Sequence, residues 1–131
     1  MVIELTRVAL ERILAEAERA LPMEACGILL GRGSRIEQAV PARNVHPRPA
    51  THFEIDPQAL VDAHRAARAG GPEVVGYYHS HPAGPARPSK TDRAMASGDG
   101  RIWAIVVADD VTFWHDGEDG FAELSYIVAD G

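Results

Sequence analysis

Two stretches of the chain place hydrophobic residues at helical spacing. The first stripe consists of Leu10, Ile13, Leu14, Ala17 and Leu21. Thr6 can cap the start of this helix and Pro22 ends it. The second stripe consists of Leu60, Val61, His64 and Ala67. Asp56 followed by Pro57 is typical of a helix start, and the second helix is predicted to end before the glycine pair at 70–71.

Short apolar or alternating runs around these helices predict strands. The predicted strands cover residues 2–5, 25–31, 35–40, 51–55, 74–79, 102–108, 111–115 and 121–128. A third, short helix is predicted at about 89–97. Because helices and strands are mixed without strict alternation, and no Gly-rich dinucleotide fingerprint is present, the pattern favours an α/β or α+β fold around one mixed β-sheet.

Length and charge narrow the classes of protein. The 131 residues fit a single domain, which we expect to span 1–131. The chain carries 13 Lys and Arg against 19 Asp and Glu, a net charge of −6 without a basic stripe, so no nucleic-acid partner is expected. It shows no membrane-length apolar run and no signal peptide. With Cys26 as its one cysteine, we expect a cytoplasmic protein in a reducing compartment.

Residues 79–92 concentrate side chains with metal-binding chemistry. On an extended backbone His79 and His81 project to the same side, and Asp92 follows across a loop stiffened by three prolines. Two histidines and one carboxylate leave one position of a tetrahedral zinc site open, as in catalytic sites. A His-x-His pair alone is weak evidence, and the same ligand types suit non-haem iron. Iron oxygenases, however, more often begin with a His-x-carboxylate pair.

Glu24 and Ser89 each have two interpretations. Glu24 precedes the predicted strand 25–31, where spacing alone favours a solvent-facing residue, but a carboxylate beside a metal-activated water can move its proton. Ser89 can cap the short helix or donate a hydrogen bond to a developing oxyanion. Cys26 is interpreted as a small buried residue rather than a nucleophile.

Glu24, the run His79-Ser-His81-Pro, Ser89 and Asp92 together resemble the JAMM motif of the JAB-domain (MPN+) zinc metalloproteases of the compact bacterial type. The resemblance covers nearly the whole chain. It implies a curved mixed β-sheet flanked by helices. It also implies that His79, His81 and Asp92 bind one Zn²⁺ per chain, that Glu24 is the general acid/base, and that Ser89 stabilises the tetrahedral intermediate.

The resemblance further implies a reaction and a substrate class. The reaction is hydrolysis of a peptide or isopeptide bond after the C-terminal Gly-Gly of a ubiquitin-like protein of the sulfur-carrier type. We hypothesise that the tail of this partner pairs with a sheet edge. Arg87, Lys90 and Arg93 form either a hydrated loop or a contact for an acidic carrier. Two alternatives remain open: a non-catalytic scaffold or binding module on the same fold, and a zinc hydrolase of a small amide conjugate.

Overall fold

Seven strands and three helices make up the part of the chain, residues 1–130, that this computed structural model describes. The strands are β1 (Val2–Thr6), β2 (Cys26–Arg32), β3 (Arg35–Ala42), β4 (Glu73–Ser80), β5 (Ile102–Val107), β6 (Asp110–Gly117) and β7 (Gly120–Ala129). The helices are α1 (Arg7–Ala20), α2 (Pro57–Arg68) and α3 (Lys90–Met95). Within residues 1–130 no helix has the length and apolar character needed to cross a membrane.

The prediction of a strand at 51–55 is wrong. This segment has an isolated bridge between Asn44 and Ile55 and otherwise no strand structure. The Asn44 side chain takes up backbone groups that a neighbouring strand would otherwise bind: its Nδ2 donates to the His52 carbonyl at 2.9 Å, and its Oδ1 accepts from the Glu54 N–H at 3.1 Å. Asparagine often competes with regular ladders in this way, so the segment is an ordered loop.

The seven strands form one mixed sheet, as predicted, and the sheet closes on itself. Its order is β1-β3-β2-β4-β5-β6-β7, and β7 pairs again with β1. The β1–β3, β1–β7 and β4–β5 pairs are parallel, whereas the other pairs are antiparallel. Since β4 pairs with β2 on one side and β5 on the other, it offers no free edge to a substrate tail beside the histidines.

The two sides of the sheet pack against different helices. Helix α1 packs on β1, β3, β4, β5 and β7 through Ala9, Ile13 and Ala17. Leu21 was expected on this stripe but is 56% exposed, because it follows the last helical residue. Helix α2 packs on the other side through Ala59, Leu60 and Ala63. Val61 was expected to be buried there, but it faces solvent with 44% exposure.

Candidate metal centre and catalytic site

The end of β4 brings two imidazoles together. His79 and His81 are buried, and their Nε2 atoms lie 3.0 Å apart, as the spacing along an extended chain predicts. Ser80 turns the other way, where its Oγ accepts a hydrogen bond from the Ala25 N–H at 2.8 Å. This bond and the one from the Ser80 N–H to the Ala25 carbonyl, at 3.0 Å, fix the start of β2 beside the histidines.

A capping box at the start of α3 places the first carboxylate. Asp92 Oδ2 lies 3.1 Å from the Nε2 atoms of both His79 and His81. The same oxygen accepts a hydrogen bond from the Ser89 N–H at 2.9 Å, while Ser89 Oγ accepts one from the Asp92 N–H at 3.0 Å. This reciprocal bonding is the capping-box arrangement. Local chain geometry therefore aims Asp92 at the two imidazoles.

Protonation in this cluster follows from burial and hydrogen bonding. Burial opposes charge on Asp92, but hydrogen bonds from His79 and His81 outweigh it and hold the pKa of the carboxyl well below its usual range. Burial lowers the pKa of His79, whereas bonds with Asp92 and with the Pro85 carbonyl outweigh burial at His81 and raise its pKa. An ionised carboxylate and a neutral imidazole are the forms in which these residues bind a metal.

Glu24 supplies a second carboxylate near the histidines. It is 6% exposed, so the solvent-facing position favoured by its spacing is wrong. Its N–H donates to the Pro49 carbonyl at 2.7 Å, and its carbonyl accepts from Asn44 Nδ2 at 3.0 Å. Burial raises the pKa of the Glu24 carboxyl to about 7, against the opposing effect of the His81 charge. A carboxyl that titrates near neutral pH can both accept and deliver a proton.

Either carboxylate could complete a metal site with the histidines. One oxygen of Glu24 and one nitrogen each of His79 and His81 lie within 4.8 Å of one another. Asp92 Oδ2 is closer, since it lies within hydrogen-bond distance of both Nε2 atoms. Two imidazole nitrogens and one carboxylate oxygen that converge in this way fit a catalytic zinc ion in donor type and in number. The three residues with the shorter distances are therefore His79, His81 and Asp92, and Glu24 lies beside them.

Ser89 borders the opening of this cluster. A small cavity of about 170 Å³ lies there, lined by Ser89, Glu24, His81 and residues of the proline-containing loop. Because Ser89 Oγ accepts the capping bond from the Asp92 N–H, its own hydroxyl proton remains able to donate into this cavity. Capping and donation to an oxyanion are therefore compatible in one side chain.

Three residues around the site have no signal in the sequence that links them to it. Phe53 stacks on the His79 ring, Trp103 meets that ring edge-on, and Asn44 bonds to the Glu24 carbonyl. Phe53 and Asn44 lie on the loop between β3 and α2, far from His79 in the chain. Their proximity depends on how that loop folds back onto the sheet, which residue spacing does not show.

The side chains of the remaining candidate residues form no hydrogen bond or ion pair with the cluster in residues 1–130. Arg87, Lys90 and Arg93 are exposed, and among residues 1–130 none of them forms an ion pair. Cys26 is buried with its Sγ 3.8 Å from the Ala42 carbonyl oxygen, and burial raises the pKa of its thiol to about 12. A thiol that stays protonated at neutral pH is a poor nucleophile, in agreement with a packing role.

Two sequence relatives resemble most of the chain. The desampylase of Haloferax volcanii is 37% identical over 110 residues, which cover 82% of this chain and 79% of that protein. The probable TtuB-protein conjugate cleaving protease of Thermus thermophilus is 40% identical over 92 residues, which cover 70% of this chain and 62% of that protein.

Solved structures share the fold. A protein of Desulfitobacterium hafniense, 34% identical, superposes with a TM-score of 0.87 over 99% of this chain and 94% of that one. A JAB1/MPN domain protein from Archaeoglobus fulgidus (22% identity, TM-score 0.63, 96% and 98% coverage) and a protein described as having a JAMM metalloprotease-like zinc site (21%, 0.60, 97% and 99%) share the fold alone. The sequence model of the prokaryotic homologues of the JAB domain matches residues 6–117. The chain therefore belongs to the prokaryotic JAB-domain family.

Proposed function

We propose that this protein is a zinc-dependent metallopeptidase that hydrolyses the bond after the C-terminal Gly-Gly of a ubiquitin-like protein of the sulfur-carrier type. The observation that carries the proposal is the convergence of His79 Nε2, His81 Nε2 and Asp92 Oδ2 beside the buried Glu24. The names of two relatives, a desampylase and a probable TtuB-conjugate protease, support the substrate class.

His79, His81 and Asp92 would hold one Zn²⁺ per chain. Their two nitrogens and one carboxylate oxygen are common ligands of catalytic zinc, and three protein ligands leave a position open. When bound there, the ion would polarise the scissile carbonyl and lower the pKa of a water molecule. Glu24, the looser fourth donor, is then free to act on protons.

Two side chains, Glu24 and Ser89, would act directly on the substrate and the attacking water. Glu24 accepts a proton from the attacking water as the new bond forms between the water oxygen and the carbonyl carbon. The Ser89 hydroxyl donates a hydrogen bond to the oxyanion that develops on the carbonyl oxygen. Glu24 then delivers its proton to the leaving nitrogen as the carbon–nitrogen bond breaks, so that the carboxylate is restored.

The surroundings of the site support a narrow tail as the substrate. The cavity of about 170 Å³ at the site is lined partly by Pro82 and Pro85, and such a restricted space suits residues without side chains. A neighbouring groove of about 380 Å³ shares His81 and Pro82 and is lined mostly by apolar residues, including Leu14 and Val107, with Glu18 and Asp109 among them. Because β4 has no free edge, we propose that the tail lies along this groove rather than as an added strand.

Charge supports a carrier with an acidic surface. Arg87, Lys90 and Arg93 are exposed next to the site and have no ion-pair partner within residues 1–130. We propose that they contact the carrier protein, with Arg87→Ala raising KM.

The net charge of −6 argues against nucleic acid as a partner. Cys26 is buried and has no disulfide partner within residues 1–130, and on this ground we propose a cytoplasmic location. We also propose that the chain is a single domain spanning 1–131.

The test is an intact-mass assay with zinc-loaded protein. The substrate is a ubiquitin-like sulfur carrier from the same genome that bears extra residues after its Gly-Gly. We expect a product that ends at Gly-Gly with the wild type and none with Glu24→Gln. No cleavage by protein with one zinc per chain would contradict the substrate class and favour a small amide conjugate or a binding role.

A further inference from the structure

The two histidines of the site are supported in different ways. His81 has a polar partner behind its ring, since Nδ1 lies 2.8 Å from the Pro85 carbonyl oxygen. This bond fixes the ring orientation and the tautomer, as is usual for histidines that bind metals. His79 Nδ1 is buried, and within residues 1–130 no group forms a hydrogen bond with it. On the Nδ1 side, away from Asp92 and His81, something other than a hydrogen bond must therefore orient the His79 ring.

Aromatic rings surround His79 instead. The Phe53 ring stacks on it with centroids 4.2 Å apart and planes at 16°. Trp103 meets the His79 ring edge-on at 5.7 Å and 89°, and it also meets Phe53 edge-on at 5.9 Å. Phe121 packs behind Trp103 at 5.0 Å. These contacts limit rotation of the imidazole about its terminal torsion, which is otherwise broad for histidine.

Phe53 itself is held firmly although it lies on a loop. Its side chain is 5% exposed. Both neighbours bond to Asn44: the His52 carbonyl accepts from Nδ2, and the Glu54 N–H donates to Oδ1. The Val45 N–H also donates to the Glu54 carbonyl at 2.9 Å. The loop can therefore present the Phe53 ring at a fixed height and angle to His79.

We propose that Phe53 is a positioning residue that orients His79 for metal binding by ring stacking, in place of the hydrogen bond that orients His81. The inference rests on the proposed function, because it takes His79 as a metal ligand. A flat ring face is required for this role, and apolar volume alone does not replace it. Phe53→Leu keeps an apolar residue and removes the face, whereas Phe53→Tyr keeps the face.

The matched control is Phe113→Leu. Phe113 is fully buried and meets Tyr126 edge-on in the core on the α1 side, away from His79. Its replacement removes the same atoms from a core, so it should reduce the thermal stability of the protein by a similar amount. Comparing the two Leu variants thus separates loss of packing from loss of orientation at the site.

The experiment measures zinc affinity by competition with a chelator, together with the melting temperature of the metal-free proteins. We expect Phe53→Leu to weaken zinc binding about 10–100-fold, the usual effect of losing an outer-shell partner of a ligand. Phe113→Leu and Phe53→Tyr should stay within about threefold of the wild type. The visible spectrum of Co²⁺-loaded Phe53→Leu should also change, because ligand geometry sets its band intensities.

The outcomes distinguish this inference from the proposed function. Equal zinc affinity in Phe53→Leu and the wild type, or an equal loss in Phe113→Leu, would overturn the role of Phe53 and leave the proposed metal site intact. A wild type that does not bind zinc would overturn both. If Phe53→Leu does not fold, Phe53→Met, which keeps more of the apolar volume, replaces it with the same expectation.

Discussion

Two buried carboxylates, Asp92 and Glu24, lie beside the His79–His81 pair, and the chain supports them differently. Asp92 accepts a hydrogen bond from the Ser89 N–H and lies within bonding distance of both imidazoles, which keeps its pKa low. Glu24 is held by its backbone, while burial raises the pKa of its side chain to about 7. Environments that separate two pKa values in this way commonly assign different roles to like residues. The contrast supports Asp92 as a ligand and Glu24 as the proton carrier.

The largest effect is expected from Asp92. Asp92→Asn keeps the shape of the side chain but removes its charge, so zinc affinity should fall more than about 100-fold, since removing a ligand exceeds the loss of an outer-shell partner. Turnover should fall below detection. Chelator competition and the intact-mass assay measure these two effects. Asp62→Asn, on the exposed face of α2, is the control. Zinc affinity equal to the wild type in Asp92→Asn would remove Asp92 from the ligand set.

Replacement of Glu24 should reduce turnover without reducing zinc affinity, whereas replacement of Asp92 should reduce both. Glu24→Gln should lower kcat about 10²–10⁴-fold, the usual contribution of a general acid/base. Zinc affinity should stay within about threefold of the wild type, because in the proposed site Asp92, and not Glu24, completes the ligand set. Glu11→Gln, on the exposed side of α1, controls for loss of charge. If zinc affinity falls as far as in Asp92→Asn, Glu24 is a ligand and the two carboxylates do not have different roles.

Ser89 caps α3, and in the proposed mechanism it also donates to the oxyanion, so these two roles can be tested separately. Ser89→Ala should destabilise the protein by about 1 kcal/mol through loss of the N-cap. It should also lower kcat about 100-fold through loss of an oxyanion donor. Thr6 is a matched control, because its Oγ1 caps α1 by accepting from the Ala9 N–H. Thr6→Ala should lower the free energy of unfolding at least as much while kcat stays unchanged. A similar kcat loss in both variants would leave Ser89 with the cap alone.

The same contrast explains how much the sequence could predict. Asp92 belongs to a local capping pattern, and the His79–His81 pair follows from the period of a strand, so short spacing was sufficient for both. Burial of Glu24 and stacking of Phe53 depend on the loop between β3 and α2, which Asn44 shapes through its side chain. Closure of the sheet likewise depends on pairing between β1 and β7 at opposite ends of the chain. Such long-range contacts leave no periodic signal.

The smallest expected effect concerns the stability of the protein at high pH. It tests whether burial controls ionisation close to Glu24. Cys26 is the first residue of β2 and lies two residues after Glu24. Burial, assisted by the Glu24 charge, raises the pKa of its thiol from 9.0 to about 12. The unfolded chain therefore releases this proton at lower pH than the folded one. The contribution of the protonated Cys26 thiol to the free energy of unfolding is fully present below about pH 9 and is lost as the pH rises toward 12.

Urea unfolding of the wild type and Cys26→Ala, in reductant at pH 7 and pH 10, measures this effect. At pH 7 we expect Cys26→Ala to be less stable by about 1 kcal/mol, from the lost packing of a buried side chain. At pH 10 that difference should shrink, because only the wild type carries the thiol penalty. Tyr78, whose pKa is also raised by burial, is present in both proteins and cancels in the comparison. A difference that stays constant between the two pH values would mean that burial does not control ionisation beside Glu24.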